Sequence, residues 1–119
     1  MKRDWELIRK ILIKLESKVD DTPLDSESFK GVYPEKVIYH YKILAQAELI
    51  QIEDSSTMGE EDYSAINLTW SGHEFLDKIR NEDAWNKIKS IVKTKGVDLS
   101  FEVIKTVGQI VITSLFTKQ

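Results

Sequence analysis

At 119 residues, with 41% hydrophobic and 31% charged side chains, the chain has the size and composition of one folded soluble domain rather than a disordered tail. It has no cysteine, which excludes disulfides, zinc–thiolate sites and thiol nucleophiles and suits a reducing cytoplasm. Its net charge of −3 excludes a general nucleic-acid coat, because neutralising phosphates needs a broad positive field.

The charge is unevenly spread. Residues 1–50 carry nine basic and nine acidic side chains, residues 51–83 two against nine, and residues 84–119 six against two. A local basic face is therefore compatible with the composition. The opening MKRDWELIRK lacks the apolar stretch of a signal peptide, and no run approaches the roughly 20 apolar residues that span a bilayer. A cytoplasmic protein with no membrane partner is expected.

In chain order, a first helix is predicted from about Trp5 to Ser17, with Asp4 as N-cap and Trp5, Ile8, Ile11, Leu12 and Leu15 at helical spacing. Residues 18–34 are polar, with proline, glycine and several acids, and read as a connector that could hide a short strand near Leu24–Phe29 or one helical turn. Pro34 then stands where the first turn of a helix tolerates it. The second helix, about Glu35–Ala47, gathers Val37, Ile38, Tyr41, Leu44 and Ala45 on one side. Glu35, Lys36, Tyr39, Lys42, Ile43 and Gln46 lie on the other, with His40 on the boundary.

A strand at Leu49–Ile52, a polar loop at 53–62 and a returning strand at Ser64–Trp70 predict an antiparallel hairpin with Leu49, Ile66 and Leu68 inward. Ser71 and Glu74 have the spacing of a capping box, which would start a third helix carrying Phe75, Leu76 and Ile79. Asn81, with Glu82 and Asp83 in the following turn, begins a fourth helix that ends near Gly96. The last helix, about Asp98–Thr117, has apolar residues around more than half its circumference. One core needs an arc of only about 100°. Val107, Val111 and Leu115 are therefore expected to mediate self-association, most simply as a two-fold homodimer.

Helix, connector, helix, hairpin, helix is the order of a winged helix. The expected fold is α+β, mainly α: a single domain over 1–119, with a winged-helix-like core at 1–80 and a two-helix C-terminal extension at 81–119. Residues Val37–Ile50 resemble the recognition-helix segment of bacterial winged-helix regulators, which ends Leu-x-x-Ala-Gly-Leu-Ile. Leu44, Ala47, Leu49 and Ile50 match, but Glu48 replaces the glycine, so a differently built turn is expected there.

The whole chain is similar to a family of short, uncharacterised proteins of bacteria and their phages. The resemblance rests on Met1–Asp4, Leu7–Leu12, Tyr39-His40 with Leu44, Leu68–Trp70 with Gly72–Asp77, Trp85–Lys87 and Phe101–Val103. It implies a winged-helix-like fold and a phage or prophage setting, and no activity.

No catalytic group, cofactor site or metal site is expected. His73-Glu74 lacks the second histidine of a zinc-protease helix, and His73 reads as a structural side chain over the hairpin. The acids of residues 53–62 lack calcium-loop spacing and read as a solvated loop. Core packing is the expected role of Trp5, Trp70 and Trp85. The run Lys87, Lys89, Lys93 and Lys95 reads as a solvated face.

Two functions compete. In the first, a small winged-helix DNA-binding regulator, Lys36, Tyr39, His40, Lys42 and Gln46 face duplex DNA, and Lys2 and Arg3 add backbone contacts. The plain alternative for that face is solvated helix surface, and for His40 a half-buried side chain hydrogen-bonded within the domain. In the second, a non-enzymatic interaction module docks a basic protein on Glu60, Glu61 and Asp62. The acidic loop counts against DNA, since a wing usually runs beside phosphates.

Overall fold

A computed structural model describes residues 1–117. Within them the chain forms two compact units, the first Met1–His73 and the second beginning at Glu74. The fold is α+β and mainly helical, with one two-stranded antiparallel sheet.

The first unit opens with α1 (Trp5–Glu16). Asp4 caps it by accepting from the amide of Leu7 at 3.1 Å. Leu7, Ile8, Ile11, Leu12 and Leu15 are buried, each contributing about 1.5–3 kcal/mol by leaving water. Trp5, expected on that stripe, is only half-buried, with the Arg3 guanidinium 5.4 Å above its ring.

The connector holds no helix. Leu24 instead forms a single antiparallel bridge with Ala65, with reciprocal backbone bonds of 2.7 and 2.9 Å. Turns capped by Asp25, which accepts from the Glu27 amide and the Ser28 hydroxyl, then lead to Pro34. α2 (Pro34–Gln46) buries Val37, Ile38, Tyr41 and Leu44. It ends in a Schellman turn, with Leu49 N donating to Leu44 O and Glu48 N to Ala45 O. Glu48 has φ of +62°, so the turn keeps the left-handed geometry of the glycine it lacks, contrary to the expectation of a different build.

β1 (Ile50–Asp54) pairs with β2 (Tyr63–Leu68), Ile50 opposite Leu68 and Asp54 opposite Tyr63. The register shifts between Gln51 and Ile52, leaving Ile66 as an extra residue on β2. That bulge explains a correction: Ala65 is fully buried, whereas Ile66, expected inward, is half-buried. The Lys18 amine donates to the Ile66 carbonyl that the bulge leaves open.

α3 (Trp70–Ile79) starts two residues earlier than the sequence suggests, because its cap is Thr69 rather than Ser71. Thr69 Oγ1 accepts from Gly72 N at 3.0 Å, and Thr69 O accepts from His73 N. Ser71 lies inside the first turn, so the Ser71–Glu74 capping box does not form. Thr69 is preferred because it is also fixed to the preceding turn: its hydroxyl donates to Glu48 O at 2.6 Å and its amide to Leu49 O at 3.0 Å. Trp70, expected in the core, is 79% exposed.

In the second unit, α4 (Glu82–Lys95) is capped by Asn81, whose side chain accepts from Ala84 N at 2.9 Å, and is closed by Gly96 at φ +72°. It buries Trp85, Ile88 and Val92. α5 (Phe101–Thr117) stacks Phe101 on Phe75 at 4.8 Å and buries Ile104 and Val111. Gly108 lets it pass close to Lys78 and Ile88. Ile110 and Leu115 remain about three-fifths exposed, at 60% and 61%.

Candidate functional site

The expected site residues lie mainly on α2 and the hairpin. The basic ones on α2 stand at i and i+6, and both are already engaged. Lys36 Nζ meets Asp4 Oδ2 at 2.7 Å, and Lys42 Nζ meets Glu61 Oε2 at 3.1 Å while standing 5.7 Å above the Tyr63 ring. The hydrogen bond from Lys36 holds the Asp4 carboxyl below its ordinary range against the opposing effect of burial.

His40 is not part of any exposed face. It is fully buried, which corrects its placement among the DNA-facing residues. Its Nε2 accepts from the Asp4 amide at 2.8 Å, and its Nδ1 lies 2.7 Å from Lys36 O. Only a neutral ring protonated at Nδ1 satisfies both bonds. Burial holds the imidazole below its ordinary pKa, with the Lys36 carbonyl and the Asp4 charge acting against that shift. His40 thereby fastens the start of α1 to α2, the role that leaves it no reach to a ligand. Tyr39, half-buried, packs edge-on to its ring at 5.5 Å. Gln46, Lys2 and Arg3 are exposed.

The acidic side divides into tied and open groups. Asp62, expected beside Glu60 and Glu61 at a partner surface, is structural. Its Oδ1 accepts from Ser26 Oγ and from Tyr63 N, both at 2.9 Å, and fixes the base of the loop to the connector. Glu61 is spent on Lys42. Glu60, together with Glu53 and Asp54, is exposed and meets no basic side chain among the described residues. Glu53 and Asp54, which the sequence places in a solvated acidic loop, are not among the residues expected to dock a partner. Asp54 Oδ1 accepts from Ser56 N at 2.8 Å, and bonding to Ser56 holds its carboxyl below the usual range. The tight turn Thr57–Glu60 carries a fully exposed Met58 at its tip.

The other expected residues are scattered. His73 is exposed, with Nδ1 3.9 Å from Glu16 Oε2. Of the self-association set, Val111 is buried within its own unit, Val107 half-buried and Leu115 exposed. Ile110 is the exposed apolar residue that set omits. Lys89 stands over the Trp85 ring at 5.3 Å, while Lys87, Lys93 and Lys95 are exposed. No cluster of three metal-ligating side chains occurs among the described residues, and none of their helices is long and apolar enough to cross a membrane.

Residues 2–98 match the family described as Hypothetical protein (DUF2513). The chain belongs to this family. An uncharacterized protein of Haemophilus influenzae is 47% identical to the DUF2513 chain over 116 residues, covering 97% of it and 98% of the relative. No solved structure matches it. The match agrees with the family resemblance carried by the sequence motifs, and neither description names an activity.

Proposed function

We propose that this DUF2513 chain is a non-enzymatic protein-interaction module whose hairpin presents an acidic surface to a basic partner protein. One observation carries the reading. Both cations on the outer face of α2 are closed by carboxylates of the same unit, whereas Glu53, Asp54 and Glu60 stand open. The first unit carries nine basic against fourteen acidic side chains, a balance that repels phosphates and attracts basic protein surfaces. Panning a random peptide library on the protein should enrich lysine- and arginine-rich sequences. Their affinity should fall roughly tenfold in Glu53→Gln/Glu60→Gln, as about 1.4 kcal/mol of lost attraction would give. Enrichment of neutral or acidic sequences, or affinity unchanged by the double substitution, would exclude this reading.

A second reading, a small winged-helix DNA-binding regulator of phage or prophage type, is favoured by a different observation. Lys2 and Arg3 are exposed at the start of α1, and the contacts of Asp4 and His40 pin that start to α2. Their charges thus flank the open side of the helix. DNA binding would require Lys36 and Lys42 to exchange carboxylates for phosphates, a modest cost for exposed pairs. A two-fold dimer would provide two α2 helices for successive half-sites. In this reading Lys36→Glu/Lys42→Glu abolishes duplex binding and leaves the fold intact. Binding that survives both reversals would rule it out.

A further inference from the structure

We infer that the outer edge of β1 is a strand-addition site for an extended, lysine- or arginine-rich segment of a different protein, an inference that rests on the partner reading above. The argument begins with the ladder. Leu49 O accepts from Thr69 N at 3.0 Å, and Ser55 N donates to Asp62 O at 2.9 Å, so residues 49 and 55 both point their backbone groups at β2. Backbone direction alternates along an antiparallel strand, and the extra residue of the bulge lies on β2, leaving the alternation of β1 unbroken. Ile50, Ile52 and Asp54 therefore turn their N–H and C=O groups to the other edge, where Ile50 is buried and the open part runs from Ile52 to Asp54. No backbone group among the described residues pairs with them there. β2 is different, since its far edge is engaged by Leu24. α2 packs against both strands, and the exposed Glu53 and Asp54 mark the end of β1 that it leaves uncovered.

An open edge invites another strand, and its charge decides which one. Gln51 and Glu53 project on one side of β1 and Asp54 ends it; Glu53 and Asp54 are exposed and pair with no base among the described residues, with Glu60 exposed beyond the turn. A second copy of the same strand would set like charges against each other. A basic strand would meet the free acids while its backbone completes the ladder.

The test is an octapeptide of alternating lysine and threonine, compared with the same peptide N-methylated at alternate residues, titrated into the full chain at low salt. N-methylation keeps the charge and removes the edge hydrogen bonds. The parent peptide should bind and slow amide exchange at Ile52 and Asp54, and N-methylation should weaken it by roughly tenfold or more. Glu53→Lys should abolish binding of the parent. Equal binding of both peptides, without protection of the Ile52 amide, would overturn strand addition while leaving an acidic partner surface in place. Failure of both to bind would overturn the strand-addition site, and the library experiment would then decide the partner reading separately.

Discussion

At the scale of single residues, two positions at one junction set the geometry of the first unit. Glu48 holds a left-handed backbone that costs a residue with a Cβ about 1–2 kcal/mol. Glycine avoids that strain but loses more entropy on folding, so Glu48→Gly should raise stability by about 0.5–1 kcal/mol, read as a higher urea midpoint with unchanged slope. Gly72 presses from the other side. A Cβ there would sit 2.0 Å from the Leu49 carbonyl oxygen, a backbone atom with no room to yield. Gly72→Ala should therefore cost about 3 kcal/mol, the upper end for overpacking, and more if the turn breaks. The motif Leu-x-x-Ala-Gly-Leu-Ile marked the first position in the sequence but misdirected its reading, because a glutamate in the glycine's place suggested another turn while the chain keeps the left-handed one. Nothing local to Gly72 signalled its contact, because the atom it meets lies far away in the chain.

At the scale of elements, helix stripes were readable because apolar spacing and packing agree: Leu12, Tyr41, Phe75 and Ile88 are buried where periodicity puts them. The start of α3 was not, since Ser71 and Glu74 carry a capping pattern that Thr69 overrides through its tertiary bonds to Glu48 and Leu49. Thr69→Ala should cost about 1–2 kcal/mol, whereas Ser71→Ala should stay within about 0.5 kcal/mol; equal effects would restore the serine cap. The α1–α2 joint is expected to be acid-sensitive. His40 ordinarily titrates near 6.5, and burial lowers that value in the folded state. Above 6.5 the ring is neutral in both states. As pH falls below it, the unfolded chain takes a proton that the folded chain resists, so stability drops. The loss approaches about 1.4 kcal/mol per pH unit at most for one proton. The Asp4 contribution acts in the same direction further down, present above 3.8 and lost as pH falls through its lowered folded value. Urea midpoints between pH 7 and 5 should decline in the native protein and stay flatter in His40→Gln.

At the scale of the molecule, charge segregation was visible in the sequence and its consequence was not. The lysines of α2 and the acids of the loop are separate lists until folding pairs Lys36 with Asp4 and Lys42 with Glu61. His40 was placed at a boundary of the helical wheel, and long-range bonds to the start of α1 decide its burial. The same folding step leaves Glu53, Asp54 and Glu60 as the open charge. The most direct measurement is a parallel anisotropy titration of the protein against random-sequence duplex DNA and against the lysine–threonine octapeptide, from low to physiological salt. Binding of the basic peptide, with no binding of the duplex even at low salt, is the predicted result. Binding of the duplex with a steep negative salt dependence, and none of the peptide, would contradict the account.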